Sequence, residues 1–135
     1  MTVVRFDNGK RVIKRWDQVF TATSADPRRQ IIISLMDREP DQSVALPAAA
    51  SNPNVPMDST TLRQQLVHNH LPLLDDLGFV EWETDPLRAI RGDRFDEVAV
   101  VFTALHETAA ELPDSLVVGC QRLECEQQTD ESVLE

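Results

Sequence analysis

A chain of 135 residues holds one hydrophobic core with appendages and is too short for two. Its 23 acidic against 13 basic residues give a formal charge of −10 and a pI near 4.6, an excess that ordinarily argues against a partner made of phosphate. No apolar run approaches the roughly 18 residues of a membrane span and no signal-peptide core occurs, so the sequence predicts a cytoplasmic protein with no membrane partner.

The kinds of charge qualify that exclusion. Only Lys10 and Lys14 are lysine, and every other basic residue is arginine. An acid-rich, lysine-poor chain resembles halophilic proteins, whose acidity serves solubility in molar salt. There the Debye length falls to about 3 Å and net charge says little about partners. An ordinary acidic cytosolic protein is the alternative. Cys120 and Cys125, with four residues between them, fit neither a zinc knuckle nor a secreted disulfide framework. Reduced thiols are expected, with a redox sensor as the alternative.

In chain order, residues 1–15 concentrate Arg5, Lys10, Arg11, Lys14 and Arg15 against Asp7 alone. Asn8-Gly9 between β-branched flanks reads as a tight turn, which predicts a basic N-terminal hairpin or arm. Lys10, Arg11 and Lys14 are then candidate phosphate contacts, or charges that merely guard an edge against aggregation. Trp16, Val19, Phe20 and Thr23 repeat with helical spacing and predict a helix over 16–24. Asp26-Pro27 is a start signal, an N-cap and then proline, for a second helix over about 27–38 that buries Ile31, Ile32, Leu35 and Met36. Arg28, in its first turn, is a further candidate for a phosphate or a partner's carboxylate; a solvated face is the plainer reading.

Residues 41–57 are rich in Pro and Ala, and 44–51 is the one place for a third helix, with Pro47 in its first turn. The pattern then becomes clear. Asp58, Ser59, Thr60 and Thr61 can each cap a helix start. Leu62, Leu66, Leu73, Leu74 and Leu77 recur on one face with His70 in the vacant position, where it reads as a satisfied core histidine. Gly78 is the expected stop. Pro72 cannot donate to the carbonyl of His68 and predicts a kink. Phe79-Val80-Glu81-Trp82-Glu83 alternates as a strand, Thr84-Asp85-Pro86 turns, and 87–91 returns, with Arg88, Arg91 and Arg94 clustered and Asp93 placed to cap the next helix. Phe95, Val98, Phe102, Leu105, Ala109 and Leu112 are spaced as a heptad seam that Pro113 closes. The seam predicts a dimer helix over 95–113, or one that packs back on its own domain. Residues 114–135 read as an acidic tail, partly disordered, in which Leu116-Val117-Val118 can dock.

The segment His70-Leu71-Pro72-Leu73-Leu74-Asp75-Asp76-Leu77-Gly78-Phe79-Val80 resembles the H-L-x-x-L-x-x-x-G-L-V signature of ArsR-like winged helix-turn-helix regulators. The whole of 16–113 resembles small uncharacterised winged-helix proteins of extreme halophiles. The resemblance implies a mainly α fold with a small β wing: a winged helix-turn-helix over 16–94, a recognition helix over about 59–77, a wing over about 80–94 and a C-terminal dimerisation helix. Two features depart from it, Pro72 inside the helix and the unusual 41–57 segment.

No catalytic constellation accompanies this. Four glycines cannot build a phosphate cradle, and no nucleophile elbow or metal-binding helix motif is present. No enzyme activity, cofactor or metal is expected. What remains is a polar helix face of Thr60, Thr61, Gln64, Gln65, His68 and Asn69, with Arg63 at its margin. Glutamine and asparagine pair with adenine edges and arginine with guanine, while threonine reaches thymine methyls or phosphates. The chain has about one acidic residue in six, yet none falls in 59–74. The expectation is a transcription regulator that binds double-stranded DNA as a homodimer, with Arg88, Arg91 and Arg94 on the backbone. A winged-helix module that binds protein, and a ligand or redox sensor using Cys120 and Cys125, are the alternatives.

Overall fold

The computed structural model describes residues 2–117, with side chains from residue 8 onward. Helix α1 runs over Thr2–Ala22, straight through the stretch expected as a hairpin. Asn8-Gly9 permits a turn without imposing one, and within a helix the glycine costs only about 1 kcal/mol relative to alanine. Lys10, Arg11 and Lys14 are therefore exposed on a helix, not carried on an arm. Helix α2 covers Asp26–Met36 and buries Ile31, Ile32 and Leu35. Ala25, not Asp26, occupies its N-cap. The Asp26 carboxylate instead accepts from Gln30 (3.3 Å) and Asn52 (3.2 Å), tying the helix start to the loop beyond β1.

The third helix expected over 44–51 is a strand and then a single turn. Val44–Ala45 forms β1, and a 3₁₀ turn spans Ala48–Ala50. Prolines at 47 and 53 leave room for one turn only, and a β-branched Val44 fits a pleated surface. Strand β2 (Val80–Thr84) and strand β3 (Leu87–Arg91) make an antiparallel hairpin, and β1 adds to the open side of β3, with Val44 opposite Ala89. The fold is thus mainly helical with one small antiparallel sheet of order β1-β3-β2.

Between β1 and β2 lies one long helix in three parts: α3 (Ser59–Gln65), a π turn (Leu66–His70) and α4 (Leu71–Asp76). Asp58 caps it, accepting from the Thr61 N–H at 3.2 Å. The kink expected from Pro72 takes the form of that π turn. The Leu71 N–H bonds to the Leu66 carbonyl, one residue further back than in an α-helix, and the widened turn sits immediately before the proline that lacks an N–H. Its extra residue keeps both halves in phase, so that Leu62 and Leu66 on one side and Leu71 and Leu74 on the other reach the same core. Gly78, at φ 84°, ends the helix: its N–H bonds to Asp75 and the Phe79 N–H to Leu74, satisfying two carbonyls of the last turn. Gly92 packs directly against this stop, its N–H donating to the Phe79 carbonyl at 2.9 Å.

Helix α5 (Phe95–Glu107) comes next, with Arg94 rather than Asp93 at its N-cap and no side-chain cap. A 3₁₀ turn (Ala109–Glu111) and helix α6 (Asp114–Val117) complete the described chain. Cys120, Cys125 and most of the acidic tail lie outside the described residues. The seam expected to join two copies is largely internal: Phe95, Val98, Phe102 and Ala109 are buried within this chain. An apolar stripe wide enough to complete the core against Ile31, Leu35 and Phe79 is used up inside the domain. Of the expected seam, Leu105 is exposed and Leu112 half-buried.

Candidate nucleic-acid interface

The side of α3 opposite Leu62 and Leu66 carries Thr60, Thr61, Arg63, Gln64 and Gln65, and the π turn continues it with His68 and Asn69. All seven are exposed. Asp58 lies at the head of this face, and the next carboxylates are Asp75 and Asp76 at its far end. The surface is uncharged apart from Arg63, and its amides and hydroxyls can both donate and accept.

His70 sits behind this face. It is buried, with 6 % of its surface exposed, and its Nδ1 lies 2.8 Å from Nη1 of Arg28. A guanidinium can only donate, so Nδ1 is the acceptor and the neutral ring carries its proton on Nε2. Burial first, and the charge of Arg28 second, hold the His70 pKa below the ordinary histidine value. His70 is the satisfied core residue its position in the leucine stripe predicts, and its partner is Arg28, for which the sequence offers a phosphate, a partner's carboxylate or, more plainly, a solvated face. Arg28 is buried, and it also donates to the carbonyls of Ala22 (3.1 Å) and Thr21 (3.0 Å) and to Ser24 Oγ (2.7 Å). Its guanidinium is turned toward the chain's own acceptors and away from any phosphate outside.

Two of the three hairpin arginines are likewise turned inward. Arg91 donates to the carbonyls of Leu35 (3.0 Å) and Arg38 (2.8 Å) and lies over the Phe95 ring. Arg94 donates to the Leu77 carbonyl (2.9 Å), to Gln18 (2.9 Å) and to both carboxylate oxygens of Glu97, and covers the Phe79 ring. Arg88 alone is exposed on the hairpin, paired across the strands with Glu83. Three helix ends, those of α1, α2 and α4, thus have carbonyls without intrahelical partners that Arg28, Arg91 and Arg94 supply. Nothing in the local sequence marks these roles, since the contacts reach beyond any helical or strand period. Arg94→Lys keeps the charge but loses the planar fork, and a loss of about 1–2 kcal/mol is expected in denaturant unfolding.

No helix among the described residues is long and apolar enough to cross a membrane. Comparison with protein-family models, curated proteins and solved structures finds no match to the chain.

Proposed function

We propose that the chain is a sequence-reading, double-stranded DNA-binding regulator of transcription, acting as a homodimer. The observation that carries this is the exposed, carboxylate-free face of Thr60, Thr61, Gln64, Gln65, His68 and Asn69 on a helix of an otherwise acidic chain. The order helix α2, strand β1, a short turn, the long helix and the β2–β3 hairpin supports a winged-helix arrangement, with the hairpin as wing. In that reading the 60–71 half enters the major groove, where amides read adenine edges and Arg63 reaches guanine or phosphate. Of the three arginines expected on the backbone, Arg88 is the one exposed to reach it.

Selection of bound fragments from random duplexes, and then mobility shifts at several salt concentrations, test it. The Gln65→Ala/His68→Ala variant is expected to lose at least about tenfold in sequence preference, with unfolding unchanged because both side chains are exposed. Retained preference removes the readout assignment. The engagement of Arg28, Arg91 and Arg94 within the chain favours one second reading, a winged-helix module that binds protein. An absence of enriched fragments and of any shift would select it.

A further inference from the structure

Among the described residues, the largest exposed apolar side chains gather on α1 rather than on the heptad seam. Ile13 is 63 % exposed, Phe20 60 %, Trp16 48 % and Val12 44 %, and the Trp16 and Phe20 rings stack at 5.8 Å. Their spacing places them in one stripe beside the buried Val19. On the adjoining helix α5, Val100 is 64 % exposed and continues the patch. Between the two helices runs a groove of about 310 Å³, floored by Val19 and Val101 and bridged by the Arg15–Glu97 ion pair at 2.5 Å. Single exposed apolar residues need no explanation, but a contiguous patch holding Trp, Phe and Ile marks a contact surface.

The edges of the patch identify its occupant. On α1, Lys10 and Lys14 stand one turn apart on the side of the stripe away from α5, with Arg11 exposed beside them and Asp17 as the single exposed carboxylate on that side. On α5, Asp96 and Glu107 stand on the side away from α1, and the helix contains no lysine or arginine. One edge carries a net positive charge and the opposite edge is acidic. A two-fold axis through the patch lays the basic edge of one copy on the acidic edge of another and apolar stripe on apolar stripe, which is the self-complementarity an isologous contact requires. We infer that this face binds a second copy of the chain, α1 of each against α5 of the other. It gives the proposed homodimer a surface that the buried seam does not offer. The contact rests on the regulator reading for its role and not for its measurement.

Sedimentation equilibrium of the full chain without DNA, over roughly 1–100 μM, is expected to show a dimer. Trp16→Glu/Phe20→Glu should weaken association at least about 100-fold with an unchanged circular dichroism spectrum. Lys14→Glu, which leaves the apolar stripe intact, should weaken it as well, and Glu107→Lys in the same chain should restore part of the loss. A wild-type monomer throughout that range, or a dimer indifferent to these substitutions, overturns the inference. So does a monomer whose Trp16, in a Trp82→Phe background, is shielded from a neutral quencher, since the remainder of the same chain would then occupy the face. DNA preference measured on the monomeric variant reads the helix face separately, so either proposal can fail alone.

Discussion

Replacing Gly92 with alanine lowers stability by about 3 kcal/mol. A Cβ at this position would stand 2.5 Å from the Gly78 carbonyl oxygen, 2.8 Å from the Val80 nitrogen and 2.9 Å from the Phe79 carbonyl carbon. All three are backbone atoms fixed by neighbouring bonds: the Gly78 carbonyl accepts from Arg94 at 2.8 Å and the Phe79 carbonyl from Gly92 itself. No flexible side chain can move aside, so the hairpin must lift away from the end of α4. Gly9→Ala is the internal comparison. Open space surrounds it within a helix, and the same substitution there should stabilise by up to about 1 kcal/mol. Denaturant midpoints of the two variants, moving in opposite directions, check both statements. A Gly92→Ala protein as stable as the parent would mean that the hairpin does not sit against the helix stop.

Arg28→Met is expected to cost about 3 kcal/mol, because it removes the donor from two carbonyls, one hydroxyl and the Nδ1 of a buried histidine at once. The same link makes stability depend on pH. In the folded chain His70 resists protonation, whereas in the unfolded chain it titrates near the ordinary value of about 6.5. The unfolded state therefore binds more protons below that pH. Stability is complete above it and declines as pH falls, until the folded ring itself is protonated against Arg28. His70→Asn keeps an acceptor near the Nδ1 position and cannot titrate, so this decline should vanish while stability at neutral pH drops modestly. Glu97 does not interfere. Its carboxyl is held below the usual range, first by the hydrogen bond from Arg94, so its contribution is lost only below about pH 4.3. Unfolding midpoints measured over roughly pH 4.5 to 8 resolve the histidine limb.

What the sequence reveals about this fold depends on distance along the chain. Helix α2, the long helix from Asp58 to Gly78, both hairpin strands and the start of α5 all announce themselves by a period and a start or stop signal within a few residues, although the caps expected at Asp26 and Asp93 fall instead on Ala25 and Arg94. Strand β1 does not. Val44 is a strand residue only because Ala89 lies opposite, and two paired residues leave no alternation to read. The Asn8-Gly9 pair misleads for a related reason, since the dipeptide permits a turn but only the surrounding chain decides whether one forms. The polar helix face is legible as the complement of a leucine stripe, and its exposure agrees with that geometry. The destinations of Arg28, Arg91 and Arg94 are not, because a long side chain can reach a carbonyl on another element and no periodicity records it. The heptad spacing of α5 is real, but spacing alone cannot tell an internal seam from an external one.

The three arginines that close helix ends bear on why lysine is so scarce here. Each guanidinium meets several acceptors at once, and two of them also lie over an aromatic ring. A compact ammonium head has neither the span nor the plane for this. At these sites, then, the choice of arginine follows from the mechanics of joining rigid rods. A change of salt would be expected to act on the outward carboxylates long before it reaches these inward-facing bolts.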